Sequence, residues 1–431
     1  MNIFPKNPRV IIFSILAGLC LLAAIHVSGA TLAAVHAAVV PVFAAYVLIV
    51  KPGGIKSVRW YYPVYFAMLA VMVGLYIFAL RQTTVGVSVR YSEIFYAGYF
   101  LIAVHIVAWL IDKSIDTSLS FVFAANGPPP RKKVRTIPKN ILRCILSAAI
   151  IGPYLLSVFM VHWVKLGNDI ELYKQAGLKC EQVTLYSTDG VKLDGWLLEA
   201  PYASDATIIM APGQDLPKIC SIKQAGILQS RGFNVLMLDL RGKGDSDGHI
   251  RTFGKDEYKD ILGAVNYLKE NHPKACTHIF GIGISYGAAA VIKAASYDHR
   301  IEGIAIDSTI TRIHALPDAL ARLLAEPVND YLDRASLVWA SAEAGSNLLD
   351  NDIYDRIADI SPRPVLILHG QNDVLSAPEE ALKLYEHAGY PKTMCIIDGA
   401  GHAQPMIFGE GECFYNILSV FNTVRFTNFE M

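Results

Sequence analysis

His278-Ile279-Phe280-Gly281-Ile282-Gly283-Ile284-Ser285-Tyr286-Gly287-Ala288-Ala289-Ala290-Val291-Ile292-Lys293-Ala294-Ala295-Ser296 decides the fold. Its start, HIFGI, reads as a buried strand, and its end, YGAAAVIKAAS, reads as a helix. Between them Gly283-Ile284-Ser285-Tyr286-Gly287 has the form GxSxG. Small residues beside a serine let the backbone turn tightly, lift the hydroxyl above the sheet edge and aim the helix N-terminus at a developing oxyanion. Strand, sharp turn and helix together make Ser285 the expected nucleophile.

Working outward, short β-branched stretches alternate with amphipathic ones from about Leu166 to the end, which predicts a mostly parallel sheet covered on both faces. The candidate strands are 182–186, 193–198, 207–210, 234–238, 278–282, 303–306, 365–368 and 394–397. Helical patterns fill the gaps at 222–231, 255–270, 286–296, 378–387 and from Ala403 onward. Residues 166–431 thus read as one eight-stranded α/β domain.

A serine hydroxyl is a poor nucleophile until a base takes its proton, so an imidazole oriented by a carboxylate must follow. Leu368-His369-Gly370-Gln371-Asn372-Asp373 puts Asp373 on the loop after the seventh strand, where functional groups gather in open α/β sheets. Asp398-Gly399-Ala400-Gly401-His402 is a glycine-flanked loop after the eighth, from which His402 reaches toward Ser285. Asp307, at the end of the sixth strand, is the rival acid. Asp398 is expected to support the histidine loop, and His369 to pack. For the oxyanion the expected donors are the N–H of Tyr286 and that of Gln214, in the loop Ala211-Pro212-Gly213-Gln214-Asp215.

Residues 1–165 differ in kind. Of the whole chain 53% is hydrophobic and 18% charged, and the excess lies in this half. Five stretches, 10–28, 30–50, 62–80, 94–111 and 141–164, are each about long enough to cross a bilayer and carry no Asp, Lys or Arg in their interiors. They predict a multi-pass integral membrane domain. Lys6, Arg9, Lys51, Lys56, Arg59, Lys113 and the basic run from Arg131 to Arg143 fall on one side, against Arg81, Arg90 and Lys165 on the other. The positive-inside rule then puts the N-terminus in the cytoplasm and the catalytic domain on the extracytoplasmic side. His26, His36 and His105, in or beside these stretches, are read as packing residues.

With 38 basic and 38 acidic residues the chain has no net field to gather nucleic acid. Its seven cysteines form no CxxC pair and no Cys/His metal spacing, and read as reduced and buried. No metal and no organic cofactor is expected.

Ala211-Pro212-Gly213-Gln214, Asp239-Leu240-Arg241-Gly242-Lys243-Gly244-Asp245-Ser246, GISYG, HGQND and GAGH stand in the order found in the α/β-hydrolase superfamily. Over about residues 180–420 the chain resembles its serine esterase, thioesterase and acyl-peptidase-like branch, including ABHD-type and Bem46-like membrane-attached hydrolases. Ala211 stands where a histidine is common in that branch. The resemblance implies an α/β-hydrolase fold, a structural role for Asp239 and Arg241, and a helical cap-like insertion at 309–363. It also implies a serine hydrolase acting on an ester or thioester, and a membrane-tethered site beside an apolar insertion points to a small-molecule or lipid-like acyl substrate. A serine peptidase for short peptides is the alternative within enzymes. A membrane scaffold using the fold only to bind is the alternative outside them. No protein partner follows from the sequence.

Overall fold

The structure is a computed structural model that describes residues 180–213, 216–314, 325–350 and 352–427, together with 88–89 and scattered positions between 149 and 178. Eight strands form one sheet: β1 (Glu181–Tyr186), β2 (Lys192–Leu198), β3 (Ala206–Ala211), β4 (Asn234–Leu238), β5 (His278–Ile284), β6 (Ile301–Asp307), β7 (Val365–Gly370) and β8 (Lys392–Ile397). Their order is β1-β2-β4-β3-β5-β6-β7-β8, and every pairing is parallel except those that β2 makes with β1 and β4. All eight expected strands are present, lengthened at most by two residues at either end.

Strands β3, β4, β5 and β7 are buried at every position, which is why they read as continuous apolar runs. The edge strands β1 and β8 are partly exposed. Six of the helices are α1 (Ile222–Ser230), α2 (Tyr258–Asn271), α3 (Tyr286–Tyr297), α4 (Glu326–Ala344), α5 (Ile353–Ala358) and α6 (Pro378–His387). The last two are α7 (Pro405–Phe408) and α8 (Glu410–Thr427). Alternate residues of one strand enter opposite cores. Ile209 of β3 packs with α2, α3, α5 and α6, while Ile208 and Met210 pack with α1 and α8. Helix α3 is buried for most of its length, its alanines letting it lie close on the sheet.

Four of the five apolar stretches, 10–28, 30–50, 62–80 and 94–111, lie outside the described residues apart from nothing more than the pair 88–89 between them. Among the described residues no helix is long and apolar enough to cross a membrane. Of the stretch 141–164 only Ala149, 152–154, 156, 157, 160 and 161 are described. The C-terminal compact unit takes in 88–89 and the described residues from Ala149 onward. Leu166 and Gly167 pair antiparallel with Val89 and Ser88. Met160 and Val161 are buried with Leu337, Ala340 and Leu348, Tyr154 meets Trp339 edge to face, and Ser157 Oγ lies 2.8 Å from Glu343 Oε1. Met160 and Val161 are thus covered by α4.

Helix α4 and α5 occupy the insertion 309–363, of which 315–324 and 351 are outside the described residues. The five described cysteines are free thiols.

Candidate active site

The turn between β5 and α3 holds Ser285 at φ 52° and ψ −113°, a backbone conformation that residues with a Cβ seldom adopt. Its neighbours explain how it is tolerated. A Cβ at Gly283 would lie 2.5 Å from Ala288 Cα, and one at Gly287 would lie 2.5 Å from the carbonyl oxygens of Ala211 and Pro212. Only glycine fits either place. The Ser285 N–H donates to the Asp307 carbonyl at 2.7 Å, tying the turn to the end of β6.

Ser285, His402 and Asp373 meet. Ser285 Oγ is 2.7 Å from His402 Nε2, and His402 Nδ1 is 2.8 Å from Asp373 Oδ2. The other carboxylate oxygen of Asp373 accepts the N–H groups of Leu375 and Ser376, both at 2.9 Å. Burial works to raise the Asp373 pKa, but the His402 hydrogen bond and charge, with the two backbone donors, hold it below the usual carboxylate value. An ionised Asp373 fixes the proton of His402 on Nδ1, which leaves Nε2 free to accept from the serine.

The loops that deliver these groups are tightly built. A Cβ at Gly370 would lie 2.4 Å from the Ala400 carbonyl oxygen, so the Asp373 and His402 loops touch backbone to backbone. Gln404 Oε1 accepts the Gly401 N–H at 2.8 Å. His369 is buried beside Asp373, its Nε2 donating to the Ser376 carbonyl at 2.9 Å. Burial pushes its pKa down, so it is a neutral packing residue, as expected from its place at a strand end.

The rival acid is near but does not touch the histidine within hydrogen-bonding geometry. Asp307 Oδ1 accepts the Ser308 hydroxyl at 2.9 Å, and its Oδ2 has no hydrogen-bond partner, the Met406 N–H approaching it without meeting that geometry. Burial pushes Asp307 up to about 7. Ser308, at φ 52°, accepts the N–H of Ala403 on its Oγ at 3.0 Å, and its own N–H donates to Leu368. This hydroxyl therefore holds the residue after His402, a role that nothing local in the sequence signals.

Of the two expected oxyanion donors, Gln214 lies outside the described residues. Tyr286 opens α3 with its ring fully buried. A Cβ at Gly213 would lie 3.6 Å from Ser285 Cβ, so Gly213 lies beside the nucleophile. Lys243 joins the two segments: its ammonium donates to the Gly213 carbonyl at 2.7 Å and sits 3.9 Å from the centroid of the Tyr286 ring. The sequence marks the turn DLRGKGDS as a brace without singling out this lysine.

The other charged members of that turn are structural. Arg241 binds Asp189 and Asp260. Asp239 accepts the Lys218 ammonium at 2.6 Å and the Asn168 amide at 2.8 Å. Asp194, Asp239 and Asp245 are close enough together to hold a cation, but Lys218 already links Asp194 to Asp239, and Asn168 links Asp239 to Asp245. The donor set is satisfied by an ammonium group and an amide, and does not fit a metal centre.

A family model described as serine aminopeptidase, S33, matches residues 204–351. A polyketide transferase, grgF, from Penicillium sp is 27% identical over 275 residues, 54% of this chain and 92% of that protein. A thiohydrolase, aneE, from Aspergillus aculeatus is 29% identical over 202 residues, 44% of this chain and 60% of that protein. Among solved structures, the Pyrococcus furiosus esterase Pf2001 aligns with 61% of this chain and 97% of its own at 23% identity and a TM-score of 0.49. With the strand order and the serine turn, the matched sequence identifies the C-terminal part of this chain as a hydrolytic enzyme of the α/β-hydrolase superfamily.

Proposed function

We propose that this protein is a serine hydrolase that cleaves an ester or thioester through Ser285, His402 and Asp373. The observation that carries the reading is the continuous path of two hydrogen bonds, 2.7 and 2.8 Å long, from the serine hydroxyl to a carboxylate held ionised. His402 Nε2 takes the Ser285 proton as Oγ attacks the carbonyl carbon. The resulting oxyanion is held by the N–H of Tyr286 and by that of Gln214. His402 then protonates the leaving alkoxide or thiolate, and water repeats the sequence to release the acid and free serine. No step calls for a metal or an organic cofactor.

The thiohydrolase and polyketide transferases among the relatives favour an acyl group carried on oxygen or sulfur over a peptide. The apolar stretches at 10–28, 30–50, 62–80 and 94–111 favour attachment to a membrane, with a lipid-like acyl substrate within reach.

The test is labelling of the full chain in detergent with a fluorophosphonate, which esterifies activated serines, followed by turnover of p-nitrophenyl esters of rising chain length, an acyl thioester and an aminoacyl anilide. Labelling is expected in the wild type and is lost in Ser285→Ala and His402→Ala, with esters and thioester cleaved faster than the anilide. A folded wild type that takes no label overturns the catalytic reading and leaves the fold as a binding module. Faster anilide cleavage overturns the acyl assignment in favour of a peptidase.

A further inference from the structure

Both segments expected to supply oxyanion donors meet at one buried side chain. The Lys243 ammonium donates to the Gly213 carbonyl at 2.7 Å and lies 3.9 Å from the centroid of the Tyr286 ring, which is itself shut off from solvent. The turn 239–246, to which Lys243 belongs, grips the chain again a little further on. Asp239 Oδ1 accepts the Lys218 N–H at 2.7 Å, and the Lys218 ammonium binds Asp239 Oδ2 at 2.6 Å and also Asp194. On the opposite flank the backbone before Gly213 rests on the start of α3, where a Cβ at Gly287 would lie 2.5 Å from the Ala211 and Pro212 carbonyl oxygens.

A trans peptide is planar, and its carbonyl and N–H point in opposite directions. The N–H that shares a plane with the Gly213 carbonyl is that of Gln214, the second expected oxyanion donor. Whatever fixes that carbonyl therefore fixes the direction of the donor. Besides Lys243 the carbonyl accepts the Leu216 N–H, at 3.4 Å, which is long for a hydrogen bond between peptides. The ammonium bond is shorter and charge-assisted, and is strengthened by the exclusion of water. The same cation lies against the ring of the residue that supplies the first donor, a contact that gains in strength when both groups are desolvated.

We propose that Lys243 is a positioning residue for the oxyanion hole: it holds the Gly213 carbonyl against the Tyr286 ring and so sets the following N–H in register with that of Tyr286. The inference rests on the serine-hydrolase reading of Ser285, His402 and Asp373. Donors aimed at the tetrahedral oxyanion do less for the ground-state carbonyl, so disturbing them falls on kcat and leaves KM near its wild-type value. A brace that served only stability would lower the thermal midpoint and leave that split unmoved.

The test is turnover of p-nitrophenyl butanoate by the full-length chain in detergent, as wild type, Lys243→Met and Lys243→Gln. Inhibition by an alkyl trifluoromethyl ketone and by the matching secondary alcohol is measured alongside. Ser285 Oγ adds to the ketone carbonyl carbon, its proton passes to His402, and the carbonyl oxygen becomes the anion that the two N–H groups hold; the alcohol fills the same space without forming an anion. Outright loss of one oxyanion donor costs about 10²–10³ in kcat, and Lys243→Met is expected to lose at least tenfold with KM changed less than threefold. Its affinity for the ketone should fall by the same factor as kcat/KM, while that for the alcohol stays within threefold. Lys243→Gln keeps a donor on a shorter chain and should show a smaller loss, of at least threefold, in the same proportions; it carries the test where the methionine variant does not fold. A folded neutral variant with wild-type kcat overturns the proposal, as does one that loses affinity for ketone and alcohol alike. A wild type that neither cleaves the ester nor binds the ketone overturns the catalytic reading and this proposal together, whereas an active wild type matched by both variants overturns the role of Lys243 alone.

Discussion

Asp307 and Asp373 stand at the C-terminal ends of neighbouring parallel strands, both buried, both within the electrostatic reach of His402. They are nevertheless in opposite states. Asp373 has the His402 ring N–H and two backbone N–H groups, and its pKa is held down against its burial. Asp307 has one hydroxyl on one oxygen and nothing of hydrogen-bonding geometry on the other, and burial takes it to about 7. Both side chains are shut off from solvent, Asp307 the more deeply, and the partners act on top of that difference. A carboxylate can orient a histidine only where the loop around it supplies enough donors to keep it charged.

The comparison breaks most decisively through amide replacement. Asp373→Asn removes the charge that sets the His402 tautomer, and turnover of a p-nitrophenyl ester is expected to fall by about four orders of magnitude, as in serine hydrolases whose acid becomes an amide. Asp307→Asn should cost less than about tenfold, because it removes no bond to the imidazole. Steady-state kinetics of both variants decides the matter. A larger loss at Asp307 than at Asp373 would mean that the sixth-strand carboxylate is the working acid.

The two aspartates also predict opposite pH dependences of stability. Asp307 is raised in the folded chain from an ordinary value of 3.8 to about 7. Between those pH values the unfolded chain is ionised there and the folded chain is protonated, so folding takes up a proton and stability falls as pH rises, levelling above about 7. Asp373 is lowered, so its contribution is present above about 4 and is lost as pH falls through its folded value. Asp260 is also raised to about 7, which makes the difference between wild type and Asp307→Asn the informative quantity. The variant's advantage in thermal midpoint is expected to grow from pH 4 to pH 7, by the equivalent of about 1 kcal/mol or more, and then to stay constant. A gap independent of pH would show that Asp307 keeps an ordinary carboxyl pKa.

How far these states could be read in the sequence follows from the range of the interactions that set them. The eight strands, the Ser285 turn and the loops of Asp373 and His402 were legible because each depends on neighbours along the chain, on apolar runs, on Gly283 and Gly287, on a glycine-rich approach to His402. Asp373 could be preferred to Asp307 from its loop position, but not the reason, since the donors to its second oxygen depend on how residues 373–376 turn. Lys243 and Ser308 were not legible as positioning residues. Their partners, Gly213, Tyr286 and Ala403, are 30 to 95 residues away, and neither contact leaves a periodic trace. Composition alone does not sort the stretch 141–164, for a related reason. An apolar helix covered by protein and one covered by lipid have the same composition, and the contacts of Met160 and Val161 with α4 appear only in three dimensions.

Ser308 offers the finest adjustment of the comparison, because its hydroxyl joins the end of β6 to the His402 loop without touching the imidazole. It donates to Asp307 Oδ1 and accepts from Ala403, which itself sits at φ 56°. Ser308→Ala leaves both groups without this partner at a buried position and should lower stability by about 1–3 kcal/mol in chemical denaturation. Loss of the tether should lower kcat by about tenfold with little change in KM, since the displaced group acts on the proton and not on substrate affinity. Strain at Ser308 is the competing cause, because its φ of 52° is unfavourable for serine and alanine alike and is relieved by glycine. Ser308→Gly separates the two. If the hydroxyl matters, glycine and alanine lose kcat together even though glycine relaxes the backbone. If glycine restores kcat and alanine does not, the position works through backbone geometry, and Asp307 and its serine have no part in aligning His402.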